Sequence, residues 1–571
     1  MKAIVSSLAA FLALVAPFSG FVIYHDYSFL TAEILIIFLT FALVATVAGT
    51  VASFGGRAVQ SLVFALLTML VIDNQLAGGI GMNSWAISTI IWLGTAFIIA
   101  TTLFWLLHEN IAKILLTVFL SLLVMVIVNA PNPLVKEASG AKEPIQNSKL
   151  PTVVHIVLDG QLAIEGIPTD IAGGRDYKAF MKSFYAEIGA AIYGKTFAHR
   201  NISELTLGSL FTLEEQPVTE VSERKPAGWK GRFRGEGAFN HILKDNRFFE
   251  RIKTLGYNLN IFQIDYLDIC NGLGKYSGTC KTYQIRSLKA VEGLPISAIS
   301  KLRPIMSSYL EPFLTYKVVR KAYRLLSHLG LPLPYWEWER TVNSAVSGIQ
   351  ILKDMKADIA QAQPGQFFFG HAMVPHFPYM YDRNCKVLEP VHWLTNTSER
   401  AADPDRWRGK LQLIKNTRET RAERYQLYFN QSRCAHKLIG EIVKTLRERK
   451  LFNDSIIIIH GDHGSRMPLF GISNTRKDPL SDSDMVDLFS THFAIKAPGM
   501  PAGYDTRLIS IQPLFSRIVQ KPIWSILDDS NLEEVSQRIL FKDSAGPLRE
   551  MPNFGAEINT GIIPPIKFNS Q

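Results

Sequence analysis

The sequence predicts a protein of two parts: a bundle of five membrane-spanning helices over residues 1–130, and an α/β domain over residues 151–545. Three features predict this architecture: five apolar stretches in the first part, two continuous apolar strands in the second, and an amphipathic helix leading into the later strand. A helix needs about 20 apolar residues to cross a bilayer. Strands that are apolar throughout are typical of a mostly parallel sheet covered by helices on both faces.

The five apolar stretches almost lack charged residues, and together they predict a transmembrane bundle. They cover residues 4–23, 34–54, 59–72, 85–107 and 114–130. The alternative is a set of buried helices in a soluble protein, but five such stretches in succession favour the membrane. The first stretch is not a cleaved signal peptide, because further spans follow it instead of a cleavage site and a polar mature start.

The loop charges predict the orientation of the bundle. With five spans, Lys2, Arg57 and Lys113 fall on one side of the membrane, whereas Asp26 and Asp73 fall on the other. Basic loops remain in the cytoplasm, so we expect a cytoplasmic N-terminus and an α/β domain outside.

The net charge of +10 belongs entirely to residues 151–571, because residues 1–150 hold six basic and six acidic side chains. A basic domain outside a membrane suits anionic lipid headgroups or acidic polysaccharide, although the surplus also serves solubility alone. A nucleic-acid partner is not expected, because this charge lies outside the cell and the sequence has no aromatic–arginine stacking platform.

The second part begins after a linker. Residues 131–150 contain Pro, Gly, Lys and Glu and show no periodicity. "PTVVHIVLDG" then predicts a buried strand over 152–158, and residues 421–449 predict an amphipathic helix with Leu438, Ile442 and Leu446 at four-residue spacing. The helix leads into a second buried strand, "SIIIIHGDHGSR", at 455–466.

Both buried strands end on residues that bind metals. Asp159 follows the first strand, and Asp462 and His463 follow the second. Ligands bind beyond the carboxyl ends of parallel strands, and two carboxylates with one imidazole suit one divalent ion, zinc or manganese. We expect a hydroxyl nucleophile in the remaining position, because a metal lowers the pKa of a bound hydroxyl. The alternative for a lone terminal aspartate is a helix N-cap.

All four cysteines lie in the second part, and their spacing matches no zinc knuckle. Their number fits two disulfides in an oxidising compartment. We expect the pairs Cys270–Cys280 and Cys385–Cys434.

Five motifs, in this order, resemble those of the sulfatase and alkaline-phosphatase superfamily. They are "VVHIVLDG", "NISELTLGSLFT", "HAMVPHFPY", "IIIIHGDHGSR" and "THFAIKAPG". With five preceding spans, the sequence resembles the membrane phosphoethanolamine transferases and the lipoteichoic-acid synthases, which transfer phosphoglycerol. The resemblance implies an alkaline-phosphatase-like α/β fold on the periplasmic side of a bacterial inner membrane.

The resemblance also assigns roles to individual residues. It implies metal ligands at Asp159, Asp462 and His463 and a nucleophile, itself a ligand, at Ser203, with Thr206 as the alternative nucleophile. Both hydroxyls also suit a helix start, where they would act only as caps.

Three other motif histidines differ in their expected roles. His376 of "PHFPY" resembles a histidine that donates a proton to the leaving oxygen or binds phosphate. His492 resembles a histidine facing the pocket, and a core histidine is the alternative. His155 is expected to pack, and His371 and His460 fit either role.

The function implied is transfer of phosphoethanolamine or phosphoglycerol from a phospholipid to a cell-envelope glycan or to lipid A of lipopolysaccharide, through a covalent phosphoserine. The sequence "SELTL" lacks the Pro and Arg of the formylglycine motif of sulfatases. A membrane-anchored phosphodiesterase or sulfatase-type hydrolase is the alternative enzyme, and a non-catalytic binding protein is the alternative of another class.

An insertion and a C-terminal segment are predicted in addition to the core of the α/β domain. Residues 296–345 form an amphipathic insertion with basic and aromatic residues, which we expect either to lie at the outer membrane surface or to pack as a surface helix. Residues 546–571 are expected to form a C-terminal tail.

Overall fold

The structure is a computed structural model, in which the chain forms two compact units. One contains Met1–Leu134 and Ser287–Thr341, and the other contains Val135–Arg286, Val342–Asp403 and Leu411–Gln571. The residues described below are 2–79, 87–128, 138–139, 150–213, 229–230, 241–243, 246–270, 278–285, 288–310, 313–329, 331, 344–389, 418–467, 481–520, 541–542, 548–549 and 551–555.

The first unit begins with five apolar helices, in agreement with the predicted bundle. They are α1 (Lys2–Tyr24), α2 (Ala32–Phe54), α3 (Gly56–Gly79), α4 (Ile87–Leu106) and α5 (Ile111–Val128). Within the described residues, four are long and apolar enough to cross a membrane, and the apolar part of α4, Gly94–Leu106, is shorter. Uncharged apolar sequence forms helices in lipid because every backbone polar group is then bonded within its own segment.

The insertion 296–345 contributes further helices to this unit. The segment Ser287–Thr341 holds α9 (Leu288–Glu292), α10 (Ala298–Leu310) and α11 (Leu314–His328). Trp336 and Trp338 of the insertion lie outside the described residues.

The third predicted span, 59–72, matches the candidate span Gly56–Asp73, although its helix is longer. We expected the third span to end at residue 72 with Asp73 in the following loop, but α3 continues to Gly79 and buries Asp73 completely. The carboxylate is satisfied inside the protein, because the backbone N–H and the hydroxyl of Thr315 both donate hydrogen bonds to its Oδ2, at 2.7 and 2.5 Å.

The second unit is built on a nine-stranded sheet in the order β1-β8-β6-β9-β2-β10-β11-β3-β12. Of these strands, only β1 and β11 run antiparallel to the others. The strands of this sheet are β1 (Ala138–Ser139), β2 (Val153–Leu158), β3 (Ala191–Phe197), β6 (Asn258–Ile264), β8 (Gly278–Tyr283), β9 (Gln366–Ala372), β10 (Ile456–Gly461), β11 (Phe493–Lys496) and β12 (Gly503–Ser510). A separate three-stranded sheet contains β4 (Trp229–Lys230), β5 (His241–Leu243) and β7 (Leu267–Asp268), and a two-stranded sheet contains β13 (Phe541–Lys542) and β14 (Leu548–Arg549). The predicted fold class, a helical bundle followed by a mostly parallel α/β domain, is confirmed.

Helices accompany the sheet of this unit. They are α6 (Gly174–Glu187), α7 (Ser203–Thr212), α8 (Arg247–Thr254), α12 (Ser344–Ile359), α13 (Arg418–Glu448), α14 (Asp482–Phe489) and α15 (Ile511–Gln520), with a short 3-10 helix at Ile164–Gly166. The predicted helix 421–449 is α13, and its apolar residues Ile439, Ile442 and Leu446 are buried. Part of the predicted tail also packs, because Met551 and Phe554 join a buried cluster with Phe489.

Two disulfides lie in this unit, and each ties a residue outside the strands and helices to a strand or a helix. Cys270 is bonded to Cys280, and Cys385 is bonded to Cys434. The four cysteines of the sequence are all used in these bonds.

A cluster of aromatic rings supports α7. Phe211 is fully buried, with its ring centroid 5.2 Å from that of Phe249 and 5.6 Å from that of Phe369 on β9. These contacts fix the helix that begins at Ser203 against the sheet.

We therefore expect Phe211→Ala to destabilise the second unit by about 3–5 kcal/mol, because a buried ring is lost and a cavity remains. The measurement is denaturant unfolding of the purified full chain in detergent. Leu255→Ala is the control, because Leu255 is 44% exposed and its loss should cost less than about 0.5 kcal/mol. Equal stability of the two variants would show that the aromatic cluster does not hold α7.

Candidate active site

Two neighbouring parallel strands bring three polar side chains together. In the register of β2 and β10, Leu158 lies opposite Gly461, so the residues that follow, Asp159 and Asp462, leave the sheet side by side. Gly160 turns the chain with φ +73°, a left-handed conformation that glycine adopts without strain. The Gly160 N–H then donates a hydrogen bond of 2.9 Å to Asp462 Oδ1, which ties the two strand ends together.

A third strand adds a histidine. β9 lies on the other side of β2, and the backbone N–H of Asp159 donates to the carbonyl oxygen of Ala372 at 3.0 Å. His371, the residue before Ala372, is fully buried, and its Nε2 lies 3.4 Å from Asp159 Oδ2. His376, beyond the end of β9, places Nε2 4.0 Å from Asp159 Oδ1.

The first residue of α7 supplies a hydroxyl to the same place. Ser203 is 6% exposed; its Oγ donates to Asp159 Oδ2 at 3.1 Å and lies 3.3 Å from His463 Nε2. A helix N-terminus favours negative charge. The hydroxyl therefore sits beside two of the predicted ligands, at a point where a phosphate group would also be favoured.

The imidazole of His463 is held in a fixed orientation. Its Nδ1 donates a hydrogen bond of 2.8 Å to the carbonyl oxygen of Gly464, which directs Nε2 toward Asp159 and Asp462 at 3.4 and 3.6 Å. A second hydrogen bond of this kind is what orients a metal-binding histidine.

The charges of the site shift the pKa values of its members. Burial raises the pKa of Asp159, but the neighbouring imidazoles of His376, His371 and His463 outweigh it and hold this pKa well below its usual value. Burial lowers the pKa of His463, but the carboxylates of Asp462 and Asp159 outweigh it and raise this pKa. Burial lowers the pKa of His376, so this imidazole is neutral at neutral pH.

The residues fit a divalent cation. Asp159, Asp462 and His463 each offer a ligand atom, and these atoms all lie within 4.8 Å of one another. Asp159 Oδ1 and Asp462 Oδ2 are buried, and neither accepts a hydrogen bond within the described part of the chain. Burying two carboxylates whose oxygens accept no hydrogen bond destabilises the fold unless a cation neutralises their charge.

Two of the predicted site residues have contacts elsewhere. The Thr206 hydroxyl donates to the carbonyl oxygen of Arg200 at 3.1 Å, as a helix-start residue does. His492 is fully buried, and its ring centroid lies 4.3 Å from that of Tyr185. A substrate-binding role for His492 stays a prediction that these contacts do not support.

The remaining buried histidines of the strands pair with each other. His155 Nε2 lies 2.8 Å from His460 Nε2, and both rings are buried. His155 therefore packs, as expected, and His460 belongs with it rather than with Asp159.

Some residues that contact the site were not predicted from the sequence. His371 was left open, although it is the last residue but one of a third apolar strand, "QFFFGHA". Tyr428 of α13 was missed: its hydroxyl donates to the Gly160 carbonyl oxygen at 3.1 Å and accepts from the Leu162 N–H at 2.9 Å. Nothing in the local sequence around Tyr428 indicates this contact.

A cluster of carboxylates, a hydroxyl and an imidazole at the carboxyl edge of a mostly parallel sheet is an arrangement that hydrolases and transferases with a metal-activated hydroxyl use. The family model named Sulfatase matches residues 319–487, a segment that includes His371, His376, Asp462 and His463. The predicted resemblance to the sulfatase family is thus confirmed over this segment. The match supports an enzyme of the superfamily.

Comparison with solved structures finds similar chains at low identity. One is the C-terminal periplasmic domain of EcEptC from Escherichia coli in complex with Zn, at 9% identity and TM-score 0.32, covering 64% of this chain and 76% of that one. Another is the lipoteichoic acid synthase LtaP from Listeria monocytogenes, at 10% identity and TM-score 0.33, covering 70% and 78%. A third is the phosphonate monoester hydrolase of Agrobacterium radiobacter, at 14% identity and TM-score 0.36, covering 64% and 72%. A search of curated proteins finds no match.

Proposed function

We propose that this chain is a membrane-anchored transferase that moves a phospho-alcohol headgroup from a phospholipid to a hydroxyl of a cell-envelope glycan or of lipid A. The observation that carries the proposal is the position of Ser203 Oγ, 3.1 Å from Asp159 Oδ2 and 3.3 Å from His463 Nε2. A buried hydroxyl among metal-binding groups is placed for attack on a phosphodiester. The apolar helices support a lipid as the donor, with phosphoethanolamine or phosphoglycerol as the group transferred.

The proposed cofactor is one divalent ion, zinc or manganese, held by Asp159, Asp462, His463 and the Ser203 hydroxyl. When bound, such an ion lowers the pKa of a coordinated hydroxyl and stabilises charge on phosphoryl oxygens. Nitrogen and oxygen ligands suit both metals.

The chain's own residues define the first displacement. Ser203 Oγ forms a bond to the headgroup phosphorus while the bond from phosphorus to the diacylglycerol oxygen breaks. The hydroxyl proton of Ser203 ends on that oxygen, and diacylglycerol leaves as an alcohol. His376 is the proposed carrier of this proton, because its Nδ1 donates to the Phe377 carbonyl oxygen at 2.6 Å and its neutral Nε2 is left with a lone pair facing the site.

The second displacement reverses the roles. An acceptor hydroxyl attacks the phosphorus of phospho-Ser203, the bond from phosphorus to Ser203 Oγ breaks, and the acceptor's proton returns to Oγ. The site is then restored, and the headgroup is attached to the acceptor as a phosphodiester.

The proposed location is a bacterial inner membrane with the second unit in the periplasm. The loop charges support it, since Lys2, Arg57 and Lys113 lie on the side opposite Asp26 under the positive-inside rule. Two disulfides in the second unit also support it, because disulfides persist in oxidising compartments.

The test is mass spectrometry of the full chain after incubation with vesicles of phosphatidylethanolamine or of phosphatidylglycerol. Without an acceptor, we expect a headgroup-phosphate adduct on Ser203 in wild type, at no more than one per chain, and none in Ser203→Ala. Continuous release of headgroup phosphate into water would identify a phosphodiesterase instead. Neither adduct nor release from either lipid would contradict the proposed donor class.

A further inference from the structure

The helix α11 of the insertion carries an apolar face that the described protein leaves uncovered. The residues of this face, the apolar stripe, are Val318, Val319, Leu325 and Leu326 on the helix and Leu329 directly after its end, with exposures of 38, 56, 60, 41 and 71%. At about 100° per residue these positions fall within about 120° of the helix circumference. Such a continuous apolar face on a helix marks an interaction surface.

The same helix is basic elsewhere and lacks acidic residues. Its sequence, "LTYKVVRKAYRLLSH", contains Lys317, Arg320, Lys321 and Arg324 and no Asp or Glu. The four basic positions all fall outside the arc of the apolar stripe. A helix with one apolar face, one basic face and little overall hydrophobicity is typical of helices that lie in the plane of a membrane interface.

The contacts within the first unit place α11 at one end of the spans. Asp73, which closes the candidate span Gly56–Asp73, accepts hydrogen bonds from the backbone N–H and the hydroxyl of Thr315 in the first turn of α11. A carboxylate at this point also stabilises the helix N-terminus. These hydrogen bonds fix the start of α11 to α3 at the point where the apolar span of α3 ends.

The preceding helix is tied to the same end of the bundle. Lys301 of α10 is 9% exposed and lies with its Nζ 3.7 Å from Oε1 of Glu33, in the first turn of α2. The Tyr309 ring of α10 packs at 5.0 Å from Phe18 and 5.2 Å from Phe21, near the end of α1. In the predicted bundle, α1 ends, α2 begins and α3 ends on the same side of the membrane. The contacts of Lys301 and Tyr309 and the hydrogen bonds between Thr315 and Asp73 therefore all lie on that side.

We infer that α11 lies in the membrane interface with its apolar stripe inserted among the acyl chains of the leaflet at this end of the bundle. Lipid covers the apolar stripe, because α11 begins where the lipid-facing surface of a span ends. The basic positions of the helix suit anionic lipid headgroups. The inference does not rest on the proposed transferase activity.

The test measures how deeply a fluorophore, attached at one position of the full chain, lies in the lipid bilayer of a nanodisc. The four native cysteines are all in disulfides, so Leu326→Cys introduces the one free thiol for a fluorophore. Arg320→Cys, off the stripe on the same helix, is the matched control, and Val319→Cys is a second stripe position. The probe is a phospholipid with a spin label at a shallow acyl-chain carbon, which quenches fluorophores at its own depth.

We expect quenching at positions 326 and 319 to exceed quenching at position 320 by about threefold or more, as insertion of one face requires. Equal quenching at all three positions, or none, would overturn the inference. Shielding of the stripe labels from a water-soluble quencher without lipid quenching would also overturn it, since another protein surface would then cover the stripe. Because no catalytic turnover is measured, failure here leaves the proposed function untouched.

Discussion

We expect Ser203→Ala to abolish the proposed headgroup transfer, with a loss of activity of roughly 10³-fold or more, as removal of a nucleophile produces in other enzymes. The physical reason is that alanine removes the one atom that forms the bond to phosphorus, while the neighbouring groups remain. Ser203 is small, buried and at a helix start, so alanine fits without strain and the fold persists. The measurement is release of diacylglycerol from phospholipid vesicles by purified variants of equal thermal stability.

Thr206→Ala is the matched control for this experiment. Thr206 lies on the same helix, one turn further on, and its hydroxyl is occupied by the Arg200 carbonyl oxygen. We expect it to lose about 1 kcal/mol of stability and to keep its activity. If Ser203→Ala stayed active while Thr206→Ala did not, the nucleophile would be Thr206.

Asp462→Asn is expected to empty the metal site while leaving the strand ends in place. Asp462 Oδ1 accepts hydrogen bonds from the backbone N–H groups of Gly160 and His463, both at 2.9 Å, and an asparagine oxygen can accept both. The change is therefore confined to Oδ2, which becomes an uncharged NH₂ that cannot bind a cation. We expect metal content to fall from about one per chain to near zero and activity to fall by about 10²-fold or more.

Metal content is measured by elemental mass spectrometry of the full chain after dialysis against a weak chelator. Asp358→Asn is the matched control, because Asp358 is a carboxylate paired with Lys281 at 3.0 Å and is not among the three residues of the metal cluster. Equal metal content in wild type and in both variants would refute the assignment of Asp462 as a ligand.

The sequence predicted the part of the site that follows from two local patterns. A continuous apolar strand that ends on acidic residues or histidine indicates the carboxyl edge of a parallel sheet, and β2 and β10 indeed lie side by side. Convergence of Asp159 with Asp462 and His463 needs only this pairing. The position of Ser203 came from the motif resemblance, because no local pattern links a helix start to two distant strands.

His371 could not be chosen from the sequence alone because strand order is not a local property. β9 pairs with β2 although more than two hundred positions separate them, and nothing in "QFFFGHA" specifies that neighbour. The same limit applies to Asp73 and Thr315. The amphipathic character of the insertion was predicted from its sequence, but its hydrogen bond to a membrane-spanning helix depends on how distant segments pack.

The central structural hypothesis is that Asp159, Asp462, His463 and the Ser203 hydroxyl bind a single ion. The direct measurement is anomalous diffraction from crystals of the full chain grown with zinc or with manganese. We predict one strong anomalous peak about 2.0–2.3 Å from a carboxylate oxygen of each aspartate, from His463 Nε2 and from Ser203 Oγ. An occupied metal peak bound to other residues, with these four side chains left without an ion, would contradict the account.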